Sequence, residues 1–155
     1  MNWVSCATDN DFFHVENFNT LVLYSRAQNP MQLNREPNQG TYQIRSYHPG
    51  AVIINDQTYT QSMLVSAMEL LPWQPQSINE LTSEHLQIIL ERKPQLFLLG
   101  TGPKQIFPPT STLAILINNK IGVEVMDTGA ACRTFNVLIA EGRKVMAGLL
   151  IRDNF

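Results

Sequence analysis

The sequence predicts a single α/β domain, and three observations carry that prediction. Apolar, β-branched runs alternate with helical periodicity through the second half, in the order β-α-β-α-β. One of those runs, "LFLL" at 96–99, is apolar without alternation, the pattern of a strand covered on both faces. The length of 155 residues suits one substantial core and is short for two.

The first thirty residues carry aromatics but no sustained period, apart from "TLVLYSR", a candidate strand. Met31 then opens a polar lead-in, "MQLNREPNQGTYQIRSY". The expected organisation is an extension over 1–30, with Met31 as the native start, and one domain over 31–155. From residue 44 the signals sharpen. "GAVIIN" and "QTYTQSMLV" read as two strands joined in a hairpin at Asn55-Asp56. "LLPWQP" reads as a third short strand, confined to a sheet edge by Pro72 and Pro75. Trp73 inside it has two readings: an exposed interface anchor, or a ring packed back on its own domain.

A helix is expected over "LTSEHLQIILERKP". Thr82 is its N-cap, Glu84 sits favourably in the first turn, and Leu81 staples onto Leu86. Leu86, Ile89 and Leu90 form the buried face, and Pro94 enforces the stop. "TSTLAILINN" follows the "LFLL" strand as a short helix capped by Thr110 or Ser111, and "GVEVM" is the next strand. Residues 129–141 form the last helix, ended by Gly142, and "VMAGLLI" is the last strand. Right-handed crossovers make the later strands parallel, although a terminal strand can insert the other way.

Composition excludes several functions. A formal net charge of -2 without a basic stripe argues against nucleic acid. Charged residues make up 15%, against a norm of roughly 25%, so the surface relies on Asn, Gln, Ser and Thr. Cys6 and Cys132 have neither metal-ligand spacing nor the density of a disulfide scaffold. His14, His48 and His85 have no metal spacing either, so no metal or cofactor is expected. No basic segment precedes an apolar stretch of signal-peptide type, and the longest apolar runs are far below the ~20 residues of a membrane span. A cytoplasmic protein is the expectation.

Two loops stand out as a candidate site. "GTGPKQ" (100–105) leaves one apolar strand and "DTGAA" (127–131) leaves the next. If those strands are parallel neighbours, Gly100, Thr101, Gly102, Lys104, Asp127 and Thr128 converge at one rim, where α/β sheets hold ligands. The glycines fit neither a dinucleotide fingerprint nor a P-loop, and a tight exit from the sheet explains them as well as anion binding does. Asp127 and Thr128 read first as helix caps. On a helical projection Ala131, Phe135, Leu138 and Ile139 share one arc with Cys132 at its edge, while Arg133 and Asn136 lie beyond it as neighbours. Cys132 therefore reads as a small core residue with no histidine near it in sequence to act as base. Glu124 sits in an apolar strand, so if buried it requires a partner. Arg133 or Arg143 would supply a structural ion pair.

Taken together, "SYHPGAVIINDQTYTQSMLV", "ELTSEHL", "LFLLGTGPKQ" and "GVEVMDTGAACRTFNVLIAEGRKVMAGLLI" resemble, in order, the blocks of a widespread domain family of unknown function. That family includes short bacterial and archaeal proteins, the adipogenesis-associated domain protein of animals and a mitochondrial assembly factor for respiratory complex I. The resemblance runs from about Ile44 to Ile151. It implies a three-layer α/β fold, with a central mixed sheet, helices packed on it and a smaller N-terminal antiparallel sheet. It transfers no catalytic residue. Its matching residues (Gly100, Thr101, Gly102, Asp127, Thr128, Cys132, Arg133, Thr134, Asn136, Glu141 and Arg143) mark where a shared site would lie.

The leading expectation is thus a non-catalytic protein-interaction or assembly-type factor, with another protein as partner. The alternative is a small anionic ligand, or an enzyme, at the rim of the two loops, held by Arg133 through paired hydrogen bonds. A purely structural homo-oligomer is the third.

Overall fold

The structure, a computed structural model, describes residues 41–152. The extension over 1–30, the start at Met31 and the "TLVLYSR" strand lie outside them. Two sheets organise the described residues. Strands β1 (Ile44–His48), β2 (Ala51–Ile54) and β3 (Gln57–Tyr59) form an antiparallel meander. Strands β4 (Met63–Ser66), β5 (Leu70–Pro72), β6 (Leu96–Gly100), β7 (Gly122–Met126) and β8 (Val145–Leu149) form a mixed sheet in the order β5-β4-β8-β6-β7. In it β6 runs parallel to both β7 and β8, while β4 runs antiparallel to β8 and β5. Helices α1 (Gln87–Arg92), α2 (Thr110–Asn118) and α3 (Thr128–Ala140) complete the described residues.

The faces of the large sheet sort by the pleat. Phe97, Leu99, Met146 and Leu64 join Leu86, Ile89, Leu113 and Leu116 in one core under α1 and α2. The alternate face, which Gly100 shares, is covered by α3: a side chain at Gly100 would meet Thr128 Cα at 3.0 Å and Ala131 Cβ at 3.2 Å. Glycine lets helix and strand approach this closely. The small sheet packs on α3 through β1. This is the α/β domain that the sequence predicts, with the small antiparallel sheet and the mixed sheet that the resemblance implies.

Local differences have physical causes. The segment "QTYTQSMLV" does not stay one strand. It divides into β3 and β4, which belong to different sheets. The hairpin at Asn55-Asp56 is present, with Asn55 at φ +52, a left-handed conformation that Asn tolerates. Strand β1 lies in what composition marks as a polar lead-in, because only Ile44 of its five residues is fully buried.

The helix expected after Thr82 begins as a 3-10 turn, Ser83–Leu86, before α1. Glu84 lies in its first turn as expected, and His85 closes the cap, its Nδ1 accepting from the Thr82 N–H at 3.2 Å. Lys93 ends α1 at φ +47, ahead of Pro94. Helix α2 is capped by Pro109, whose carbonyl accepts from the Thr112 N–H at 2.9 Å, and not by a Thr110 or Ser111 side chain. Strand β5 is the edge that its prolines demand, yet Trp73 beyond it is buried. Its ring meets Phe97 edge-on, 6.2 Å between centroids, and its indole N–H donates to the His85 carbonyl at 3.1 Å.

Strand β7 is the opposite edge, which corrects the expectation for Glu124. Its side chain is exposed, and no ion pair joins it to Arg133 or Arg143 among the described residues. The carbonyl of Val125 beside it accepts from the Gln105 side chain at 2.7 Å.

Two substitutions test this packing. A Cβ at Gly148 would lie 2.7 Å from Trp73 Cζ3 and 2.8 Å from Phe97 Cζ, so Gly148→Ala should destabilise the domain by about 1–3 kcal/mol in urea unfolding. Thr128→Val, which keeps the shape but removes a fully buried hydroxyl with two partners, should lower stability by about 1–3 kcal/mol in the same measurement.

Candidate functional site

The exits of β6 and β7 lie side by side, as Gly100 and Met126 are register partners. Their loops are locked to each other. Thr128 donates its backbone N–H to the Gly102 carbonyl and accepts the Gly102 N–H on its Oγ1, both at 2.8 Å. The same hydroxyl donates to the Leu150 carbonyl at 2.7 Å, so one side chain ties together the ends of β6 and β8 and the start of α3. Thr101 donates its N–H to the Met126 carbonyl at 2.9 Å and its hydroxyl to the Lys104 carbonyl at 2.6 Å. Asp127 caps α3, its Oδ1 accepting from the Ala130 N–H at 2.8 Å. Thr128 faces inward instead of capping. Lys104 is exposed outside this mesh. The polar groups of the rim therefore satisfy one another.

Open space lies on the other side of the first turns of α3. A cleft of about 260 Å³ runs between β1 and α3, lined by Ile44, Arg45, Ser46, Tyr47, Gly129, Cys132, Arg133 and Asn136. Arg133, Asn136 and Cys132 are thus brought together, and Arg45, Ser46 and Tyr47 join them from a strand that sequence alone leaves unmarked. Gly100, Thr101 and Gly102 are not in the lining, and neither are Lys104, Asp127 or Thr128. Glu141 and Arg143 lie past the far end of α3, Glu141 about 12 Å along the helix axis from Arg133.

Asn136 is the structural member of the lining. Its Oδ1 accepts from the Ile44 N–H at 3.0 Å and its Nδ2 donates to the Ile44 carbonyl at 2.6 Å, so the side chain pairs with β1 as a neighbouring strand would. Cys132 is buried, and burial pushes its thiol up to about 12, more than the adjacent Arg133 guanidinium pulls it down. Arg133 and Arg45 are exposed at the mouth, and neither makes an ion pair or side-chain hydrogen bond among the described residues. No group of three or more His, Cys, Asp or Glu could hold a metal ion among the described residues. Nor is any described helix long and apolar enough to cross a membrane.

Comparison with known proteins bears on this arrangement. The chain is 32% identical over 117 residues to a protein of Francisella tularensis subsp. holarctica named 13 kDa major membrane protein, covering 74% of this chain and 95% of that one. It is 33% identical over 120 residues to the NADH dehydrogenase [ubiquinone] 1 alpha subcomplex assembly factor 3 of Danio rerio, covering 76% of this chain and 68% of that one. An NMR structure of a Xanthomonas campestris protein superposes with a TM-score of 0.69 at 36% identity, covering 78% of this chain and 92% of that one. A family model described as protein of unknown function (DUF498/DUF598) matches residues 44–150, which span both sheets and all three helices, and the chain belongs to that family.

Proposed function

We propose that this chain is a protein-binding, assembly-type factor that meets its partner through the segment Ile106–Phe107. The carrying observation is the exposure of these two apolar side chains, 70% for Phe107 and 46% for Ile106, on an ordered loop. The loop is held in shape from beneath. The Ile106 N–H donates to Thr101 Oγ1 at 3.0 Å, and Pro108 behind Phe107 is buried. A ring kept in water on a fixed backbone loses little freedom when a partner covers it, and covering each side chain contributes about 1.5–3 kcal/mol. The likeness to a protein named as an assembly factor supports the same reading.

The buried thiol supports a binding rather than a nucleophilic role for the α3 segment. The thiolate is the reactive form, and with the thiol raised from 9.0 to about 12 it holds roughly a thousandth of the ordinary thiolate at neutral pH.

Two measurements check these statements. Cross-linked affinity capture from native lysate should return a reproducible partner. Phe107→Ser should reduce its recovery about tenfold while leaving Tm unchanged; an undiminished recovery, or no reproducible protein, overturns the reading. Alkylation at pH 8, followed by mass mapping of the Cys132 peptide, should be at least about a hundredfold slower in the native chain than in urea. The same burial favours the neutral thiol in the folded state. Its contribution to stability is therefore complete below about pH 9 and is lost progressively between pH 9 and 12.

A further inference from the structure

We propose that the cleft between β1 and α3 binds a small oxyanion, a phosphate or carboxylate group, clamped between the guanidinium groups of Arg45 and Arg133. The first support is a backbone irregularity. A regular strand presents alternate residues to one side, yet Ile44, Arg45, Ser46 and Tyr47 all line the cleft. The register explains it. Ile44 pairs with Ile54 and Ser46 with Ile53, so Arg45 has no partner on β2 and sits in a bulge. Bulges re-aim a side chain, and here the residue in the bulge is an arginine of the cleft lining.

The second support is how the bulge is held. Asn136 takes both backbone groups of Ile44, the residue just before Arg45. Arg133 lies one helical turn earlier on α3, and Gly129 one turn earlier again. A Cβ at Gly129 would sit 3.5 Å from Arg133 Nη1 and 3.3 Å from Tyr47 Cδ1. The guanidinium therefore lies over the first turn of the helix, and glycine keeps the floor beneath it low. One helix thus presents Arg133 and also fixes the strand that presents Arg45.

The third support is charge. The lining carries two guanidinium groups and no carboxylate, in a chain whose formal net charge is -2. Asp127, the cap of α3, is the nearest acid: its Oδ1 accepts from the Ala130 N–H and would lie 3.2 Å from a Cβ at Gly129, so it offsets part of the charge of Arg133 and leaves that of Arg45 uncompensated. Two cations at one cleft repel, and an anion between them converts that repulsion into paired, charge-assisted hydrogen bonds. A volume of about 260 Å³ lies just below the usual range of ligand pockets, roughly 300–1,000 Å³, which suits a compact anion rather than a nucleotide.

The test is titration of the purified full chain with inorganic phosphate and, separately, with succinate. Each is followed by calorimetry and by amide chemical shifts at ionic strength held constant with chloride. Saturable binding in the millimolar range is expected for at least one of them, with shifts centred on Ser46, Gly129 and Arg133. Tighter binding of phosphate identifies a phosphorylated ligand as the source of the anion, and tighter succinate binding a carboxylate. Arg45→Gln and Arg133→Gln should each weaken binding about tenfold, whereas Arg143→Gln, at the far end of α3, should leave it unchanged. Phe107→Ser should also bind as wild type does, which separates this site from the protein-binding loop. Absence of saturation with both anions, or binding that survives both glutamine substitutions, overturns the proposal. So do shifts that centre elsewhere in the wild-type chain.

Discussion

The fold around α3 depends on one buried hydroxyl. Thr128 is completely enclosed, and its Oγ1 both accepts from the Gly102 N–H and donates to the Leu150 carbonyl. A hydroxyl is the smallest group able to do both at once. Valine would leave two enclosed backbone groups unpaired, the Gly102 N–H and the Leu150 carbonyl. The start of the helix, the exit of the central strand and the end of the last strand are therefore set relative to one another at a single atom. Everything α3 presents to the small sheet inherits that placement.

The small sheet is held by the same helix in a different way. Asn136 offers β1 an acceptor and a donor with the spacing of a backbone peptide, and so takes the place that a neighbouring strand would hold. The ladder to β2 can then tolerate an interrupted register at Arg45, because the backbone groups of Ile44 already have partners. Ile44, at the edge of the irregularity, and Asn136, which holds it, are 92 positions apart. Only the folded chain brings them together.

That separation explains what could be read from the residues in advance. The strands "LFLL" and "GVEVM", the arc of Ala131 and Phe135, and the caps at Thr82 and Asp127 follow from local periodicity and capping chemistry, which act over a few residues. The side-by-side exits at Gly100 and Met126 follow from the rule that crossover-linked strands lie parallel. Three features were not legible. The split of "QTYTQSMLV" between two sheets depends on which neighbour each half finds. The solvation of Glu124 depends on β7 being an edge, a matter of strand order that apolar content does not encode. The cleft depends on a bulge whose neighbouring backbone is held by a distant asparagine. Arg133 and Asn136 were visible as a pair beyond the apolar arc. Arg45, their counterpart, lies in a stretch that composition marks as polar and unremarkable.

The Gln105 side chain has a consequence beyond its own loop. By donating to the Val125 carbonyl it occupies a position on the outer border of the large sheet that an incoming segment from another molecule would need. Alongside, the Glu124 carboxylate would be dehydrated if such a segment arrived. The border is thus blocked twice, by an occupied acceptor and by a charge, and among the described residues the sheet ends at β7 instead of offering a template for fibrous growth.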